Sequence, residues 1–518
     1  MSLFGLAACG AVCAAAYYLV PRRMRWGLLL AVSLGFYASR AAVGLPFILL
    51  TALSVYACAL RIGRIAACCE AQIRETRPVP AEKKRLRAAA GKRKKRWLLA
   101  ALLLNFAVLA VLKYTDDLRG WVGLSPLGLL LPLGISFYTF QSTGYLLDVY
   151  HGKTAPERNP AKFLLFVSFF PQLIQGPIGR YDDLAPQLTE AHDFDPDAIR
   201  RGTVLLFWGL LKKLVIADRA LPLVDAVFSA KAGEMGGAAA LVGVLAYSLQ
   251  QYCDFSGGID LVTGIAELFG IRLAPNFRRP YFSVSLADFW RRWHISLGAW
   301  MRDYVFYPFA LSAPMTRLGK AVKKRLGNEA ARTLPAALGN LLVFLLVGVW
   351  HGASAHYLLW GLYNGAVLAV SALLDPAFRR FDEAHPRLTS GAGFRVFRVL
   401  RTFVIVNIGW FFDRCARAGD ALRMMGSVLS CFRPEQLTPE WFARCGLPAA
   451  DAAVLGVFTL LLFAVSLAQE RGVSVRDSLL RLRLPLRWAL LYALILSVLV
   501  FGVWGSGFSE AGFIYYQF

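Results

Sequence analysis

Charge is scarce in this chain. Asp, Glu, Lys and Arg make up 17% of its 518 residues, and 57% are apolar. A soluble chain would carry about 25% charged and 45–50% apolar residues. That shortage, long apolar runs from end to end and a mean hydropathy of +0.50 exclude a soluble globular protein. The short alternating segments of an outer-membrane barrel are missing too, which leaves a polytopic α-helical membrane protein. None of the nine cysteines (Cys9, Cys13, Cys58, Cys68, Cys69, Cys253, Cys415, Cys431, Cys445) forms a Cys-x-x-Cys pair, so neither a zinc site nor a disulfide framework is indicated. No basic n-region precedes the first apolar run, and residues 3–20 read as a retained helix rather than a cleaved signal. A Gly-x-Ser-x-Gly nucleophile elbow is absent, so Ser354 is not proposed as a nucleophile. No repeat or low-complexity tract stands out.

What charge there is leans to one sign, with 57 Lys and Arg against 33 Asp and Glu, a net +24. The basic residues lie in short segments between apolar runs, which is the positive-inside pattern and argues against a nucleic-acid partner. Residues 61–96 alone hold 13 Lys and Arg against three Glu and read as a topology-setting cytoplasmic loop, with lipid-headgroup or partner binding as the alternative. Residues 21–25, 317–332, 379–401 and 476–487 fall on the same side. Apolar helices are expected at 3–20, 26–39, 42–60, 97–113, 203–216, 236–252, 402–412, 452–469 and 488–505. A broken apolar stretch at 125–150 carries Pro132, Gly134 and Gly144. The charge pattern puts both termini outside, which requires an even number of full crossings.

The run Leu334 to Leu374 contains no Asp, Glu, Lys or Arg in 41 residues, roughly two crossings of a hydrocarbon core about 30 Å thick. Its centre carries Trp350-His351-Gly352-Ala353-Ser354. An ionisable ring at such a place marks a functional path or sits hydrogen-bonded in a core. Asp254-Phe255-Ser256-Gly257-Gly258-Ile259-Asp260 reads equally as a helix break with a capping aspartate or as a polar cavity lining. Residues 275–307 carry too many charges to span. Phe289, Trp293, Leu297, Trp300 and Tyr304 recur there at helical spacing, with Arg291 and Arg302 on another face. That pattern predicts a helix lying in the membrane interface, with His294 beside its apolar stripe.

Six blocks, in order, resemble the membrane-bound O-acyltransferase family, in its bacterial alginate O-acetyltransferase-like polysaccharide branch. They are GISFYTFQSTGYLLDVYHGK at 134–153, FVSFFPQLIQGPIGRYDDLAPQL at 166–188, YSLQQYCDFSGGIDLVTGIAELFGI at 247–271, PNFRRPYFSVSLADFWRRWHISLGAWMRDYVFYP at 275–308, VGVWHGASAHYLLWGLYNG at 347–365 and GFIYYQF at 512–518. The resemblance implies a tunnel through the membrane, His351 as the essential catalytic residue and His294 as the second signature histidine. A histidine near pKa 6.5 suits the base that takes a hydroxyl proton during acyl transfer. In the tail, Tyr515 matches a tyrosine that in the branch relays the acyl group, and an aromatic belt anchor is the alternative.

The expectation is therefore an all-α polytopic membrane protein of roughly ten to twelve transmembrane or re-entrant helices around a central tunnel. It is a single membrane domain over 1–518, with N-terminal helices in 1–113, a catalytic core in 125–374 and C-terminal helices and tail in 375–518. The expected activity moves an acyl group, acetyl by resemblance, from a cytoplasmic thioester toward hydroxyls of an extracytoplasmic polysaccharide. Asp254, Ser256, Arg291, Arg292 and Asn364 are candidate tunnel or donor-binding groups. No metal and no bound cofactor are expected, with acetyl-CoA or an acyl carrier thioester as the donor substrate. The resemblance also implies an extracytoplasmic acyltransferase subunit of SGNH-hydrolase type as partner, in the plasma membrane. D-alanyl or other acyl transfer to teichoic acid, lipid or protein is the alternative within the fold, and a polysaccharide or lipid transporter is the alternative outside it.

Overall fold

A computed structural model of the protein describes residues 3–230 and 234–504. Among the described residues every regular element is helical. Hydrocarbon dictates this, because each backbone N–H and C=O of a crossing segment must be paired within that segment. Six stretches are long and apolar enough to cross: Arg22–Thr76, Pro80–Trp121, Ala313–His351, Ala355–Ala384, Ala449–Glu470 and Leu484–Phe501, with a shorter apolar helix at Gly5–Leu19. Large apolar side chains such as Leu103, Val457, Leu460 and Val500 stand exposed on them, the surface a lipid-facing helix presents. The chain divides into two compact units, Met1–Gly202 with Val262–Ala274, and Thr203–Leu261 with Pro275–Phe518.

The first unit opens with α1 (Leu3–Leu19), α2 (Arg25–Ala41), α3 (Leu45–Thr76) and α4 (Pro80–Trp121). The basic segment 61–96 is not a loop. It is the outer half of α3 and α4, joined by the three-residue turn 77–79. Good helix formers (Ala, Arg, Lys, Glu, Leu) fill both arms, so the helical period continues after the apolar run ends. Then follow α5 (Ile135–His151), α6 (Pro160–Ser168), α7 (Phe170–Gln175) and α8 (Tyr181–Thr189), and the start of α9 (Pro196–Leu210). Gly134, at φ +70, supplies the left-handed turn that starts α5 after the irregular stretch 125–132. Tyr145, Phe163, Phe166 and Tyr181 form this unit's aromatic core, with ring centroids 4.6–4.9 Å apart for Tyr145–Tyr181, Tyr145–Phe163 and Phe166–Tyr181.

In the second unit α9 passes into a π-helical turn, Leu211–Ala217, followed by α10 (Asp218–Ser229) and α11 (Gly237–Leu268). Asp254–Asp260 lies inside α11, so the helix break, one of the two readings of this stretch, does not occur. Gly257 serves close packing instead. A Cβ on Gly257 would meet the Gly209 carbonyl oxygen at 2.8 Å and the Lys213 nitrogen at 3.1 Å. Residues 275–310 are likewise not one amphipathic helix. They break into α12 (Leu286–Arg292), α13 (Ile295–Met301), a π-helical turn at Arg302–Phe306 and α14 (Tyr307–Ala310). The aromatic stripe faces inward rather than to lipid: Phe289, Trp293, Leu297 and Trp300 are all buried. Trp293 packs on Phe277 at 5.0 Å and Trp410 at 5.4 Å, so aromatic partners within the protein take the surface that the sequence pattern offered to a membrane.

The run at 334–374 is a helical hairpin, α15 (Ala313–His351) and α16 (Ala355–Ala384), with a non-helical kink at Gly327 in the first arm. Its arms meet at glycines, where a Cβ on Gly348 would lie 2.6 Å from the Tyr357 carbonyl oxygen and 3.2 Å from Gly361 Cα. Small residues are what let membrane helices approach this closely. The chain continues through α17 (Pro386–Thr389), α18 (Ala392–Arg414), α19 (Ala418–Ser430), α20 (Pro439–Arg444), α21 (Ala449–Glu470), α22 (Val475–Leu480) and α23 (Leu484–Phe501).

Candidate active site

His294 sits in the joint between α12 and α13 with φ +46, a left-handed conformation that costs a non-glycine residue about 1–3 kcal/mol. Buried Asn276 holds the joint. Its backbone oxygen accepts from Ile295 N at 3.0 Å, and its Oδ1 accepts from Ser296 N at 3.0 Å and Ser296 Oγ at 2.9 Å. His294 Nδ1 lies 3.3 Å from the same Oδ1. An acceptor at that place selects the tautomer with a proton on Nδ1 and leaves Nε2 as the basic nitrogen. The ring packs edge-on against Phe255 at 4.9 Å. Burial pushes its pKa down, to about 3, so the imidazole is neutral through the physiological range.

His351 is the last residue of α15, just before the turn Gly352–Ser354. Its ring stacks on Tyr357 at 5.7 Å and meets Trp360 edge-on at 5.0 Å, both from the opposite arm of the hairpin. The glycine contacts that close α15 on α16 thus also fix the position of this ring. Trp350 bridges the two histidines, 6.2 Å from the His294 ring and 4.9 Å from that of His351.

Both histidines line one cavity of about 380 Å³, within the size range of small-molecule sites. Trp290, Trp293, Trp360 and Trp410 form much of its apolar wall, and Arg291 and Arg302 line it with largely exposed side chains. A third polar group enters from α18: Asp413, buried, accepts from Tyr247 Oη at 2.6 Å and from Gln251 Nε2 at 3.0 Å, and Gln251 and Asp413 both line the cavity. Two imidazoles, a buried carboxylate and an apolar wall can hold an acyl chain and move a proton.

The family model described as MBOAT, membrane-bound O-acyltransferase family, matches residues 157–408. A probable alginate O-acetylase of Azotobacter vinelandii is 33% identical over 462 residues, 85% of this chain and 81% of that protein. A peptidoglycan O-acetyltransferase of Helicobacter pylori is 33% identical over 368 residues, 65% of each chain. A teichoic acid D-alanyltransferase of Bacillus subtilis is 29% identical over 290 residues, 55% of this chain and 69% of that protein.

The chain belongs to the membrane-bound O-acyltransferase family.

It is therefore a multi-pass membrane enzyme that transfers acyl groups to oxygen, and the alginate O-acetylase-like resemblance read from its motifs holds. The remaining candidate residues of this acyltransferase sort by their contacts. Arg291 lines the cavity. Asn364 accepts from Trp290 Nε1 at 3.3 Å and donates to the Trp360 carbonyl at 2.9 Å, so it braces two wall tryptophans. Arg292 turns to Asp288 at 3.2 Å and to Glu470 at 3.0 Å, where Arg279 (2.8 Å) and Arg395 (3.3 Å) also converge.

Asp254 and Ser256 do not line the cavity; they face the π-helical turn. Lys213 pairs with Asp254 and with Asp218 at 2.8 Å. Lys212 donates to Ser256 Oγ at 2.9 Å and pairs with Asp260 at 2.7 Å. The two lysines and Asp254 are buried. Sequence reading passed over Lys212 and Lys213 as part of an apolar run. The signal was there: two adjacent cations inside 203–216 need buried partners, and the acidic pair in α11 supplies them. Asp413, at the end of the run 402–412, was missed for the same reason. Tyr515 lies outside the described residues.

Proposed function

We propose that this acyltransferase moves an acetyl group from a cytoplasmic thioester donor toward hydroxyls of an extracytoplasmic polysaccharide. The observation that carries the reading is the convergence of His294 and His351 on one cavity. His351 acts as the base. It takes the proton of the attacking hydroxyl as its oxygen adds to the thioester carbonyl. The tetrahedral centre then expels the thiolate, and the imidazolium returns the proton to sulfur. His294 is its partner, a neutral ring held by Asn276 against the same space. Arg291 stands at the donor side, where a phosphorylated carrier would meet a cation. Tyr515 receives the acetyl group and relays it to an extracytoplasmic subunit of SGNH-hydrolase type, which delivers it to the polymer.

Acetyl and polysaccharide are favoured because two of the relatives above, an alginate O-acetylase and a peptidoglycan O-acetyltransferase, match at higher identity and over more of the chain than the D-alanyltransferase. The test uses sealed vesicles of known orientation given [¹⁴C]acetyl-CoA, with an unlabelled carrier-protein thioester as competitor. Label on the wild-type protein that is lost in Tyr515→Phe supports the relay. Label retained in Tyr515→Phe keeps the enzyme and discards the relay, and label displaced only by the carrier thioester reassigns the donor.

A further inference from the structure

The outer half of the α3–α4 hairpin has no part in the chemistry above. Arg61 lies over the Trp97 ring at 5.9 Å, an aromatic and a cation at the end of the apolar runs, where tryptophans mark the headgroup level. Beyond that level α3 continues for residues 62–76 and α4 begins at Pro80, arms of about 22 and 25 Å at 1.5 Å per residue. Ile62 and Ile73 of the first arm are buried, and an Arg87–Glu70 ion pair at 3.0 Å joins the two arms. Arg77, left-handed at φ +42, closes the tip, and Pro78 and Pro80 restrict its backbone. Over 62–96 there are 12 Lys and Arg against three Glu.

Topology setting needs cations near the membrane, and Lys92 to Arg96 supply them. It does not need a stiff arm that carries charge away. By helical rise, Arg74, Arg77, Lys83, Lys84 and Arg85 stand about 18–24 Å beyond the Arg61–Trp97 level. The Debye length in cells is about 8 Å, so lipid phosphates are screened from these residues. Val79 at the tip is 65% exposed among them. An apolar centre within a cationic rim is the anatomy of a protein contact rather than of a phosphate-backbone contact. We propose that the hairpin tip docks a soluble protein with an acidic surface, on the side that the positive-inside rule assigns to the cytoplasm. This proposal is independent of the reaction assigned above.

The test uses the full-length protein in two settings. In phosphatidylcholine nanodiscs, a fluorescent poly-L-glutamate peptide is titrated against wild type and the Lys83→Glu/Lys84→Glu/Arg85→Glu variant, and affinity is expected to fall at least tenfold. In cells, p-benzoylphenylalanine at position 79 is photolysed, and the adduct is expected to be a soluble protein of net negative charge that is lost in the same variant. Labelling of exposed Cys68 with an impermeant maleimide checks that the variant keeps its topology. If the charge reversal inverts it, the corresponding triple Gln variant takes its place. A lipid or RNA adduct, a protein adduct indifferent to the charge change, or no adduct overturns the proposal.

Discussion

Lys213 offers a perturbation whose size follows from its surroundings. It is 2% exposed and pairs with Asp218 at 2.8 Å and with Asp254, which is 0% exposed. Lys213→Met removes one cation from between two carboxylates. Removing one partner of a buried pair costs about 3–5 kcal/mol, because the other charge stays buried without compensation. Asp254→Asn is milder, since Lys213 keeps Asp218 and the amide still accepts a hydrogen bond; about 1–3 kcal/mol is expected. The double variant should lose less than the sum of the two, because the amide no longer needs the cation. The assay is unfolding of the detergent-solubilised protein, followed as loss of the monodisperse peak after heating, with donor KM measured on the folded fraction. The ranking Lys213→Met worst, Asp254→Asn mildest and the double variant sub-additive is expected, with donor KM unchanged throughout. Additive losses, or a donor KM raised tenfold in Asp254→Asn at intact stability, would refute the structural assignment and return Asp254 to the donor path.

Further outcomes follow from the same contacts. Asn276→Ala should lower kcat about ten- to hundredfold with donor KM unchanged, the equivalent of about 1–3 kcal/mol; a wild-type kcat in the folded variant would refute the positioning role. Gly361→Leu should disrupt the α15–α16 contact at Gly348 and abolish assembly or activity, checked by size-exclusion profile and label transfer. His294 has its pKa depressed by burial, so the unfolded chain binds its proton first as pH falls. Stability is fully present above the ordinary histidine value near 6.5 and is lost below it, by up to about 1.4 kcal/mol per pH unit. His294→Gln should flatten that limb of the stability–pH profile.

Much of this was legible in the chain itself, and the reasons differ by region. The apolar runs declared the crossing helices because hydrocarbon permits little else. The 41-residue run without charge became the α15–α16 hairpin, and the turn around His351 sits where the polar group interrupts it. The aromatic stripe of 275–307 misled, because helical spacing reports burial but not whether lipid or protein provides it. The joint at His294 was invisible, since a left-handed histidine carries no composition signal and depends on Asn276, 18 residues earlier. The α3–α4 arms were read as a loop because charge was weighed there and helix propensity was not. Lys212 and Lys213 hid in an apolar run because, apart from Asp218, their partners come from α11, more than 40 residues away in the chain.

The central claim is that His351 performs acyl transfer in a cavity it shares with His294. The measurement that meets it most directly is acetyl transfer from [¹⁴C]acetyl-CoA by wild type and His351→Ala, at equal membrane insertion and equal thermal stability. Loss of a positioned base is expected to cost about 10²–10⁴-fold in rate, with the α15–α16 hairpin intact by size-exclusion profile. Transfer at the wild-type rate in a folded His351→Ala protein would contradict the account.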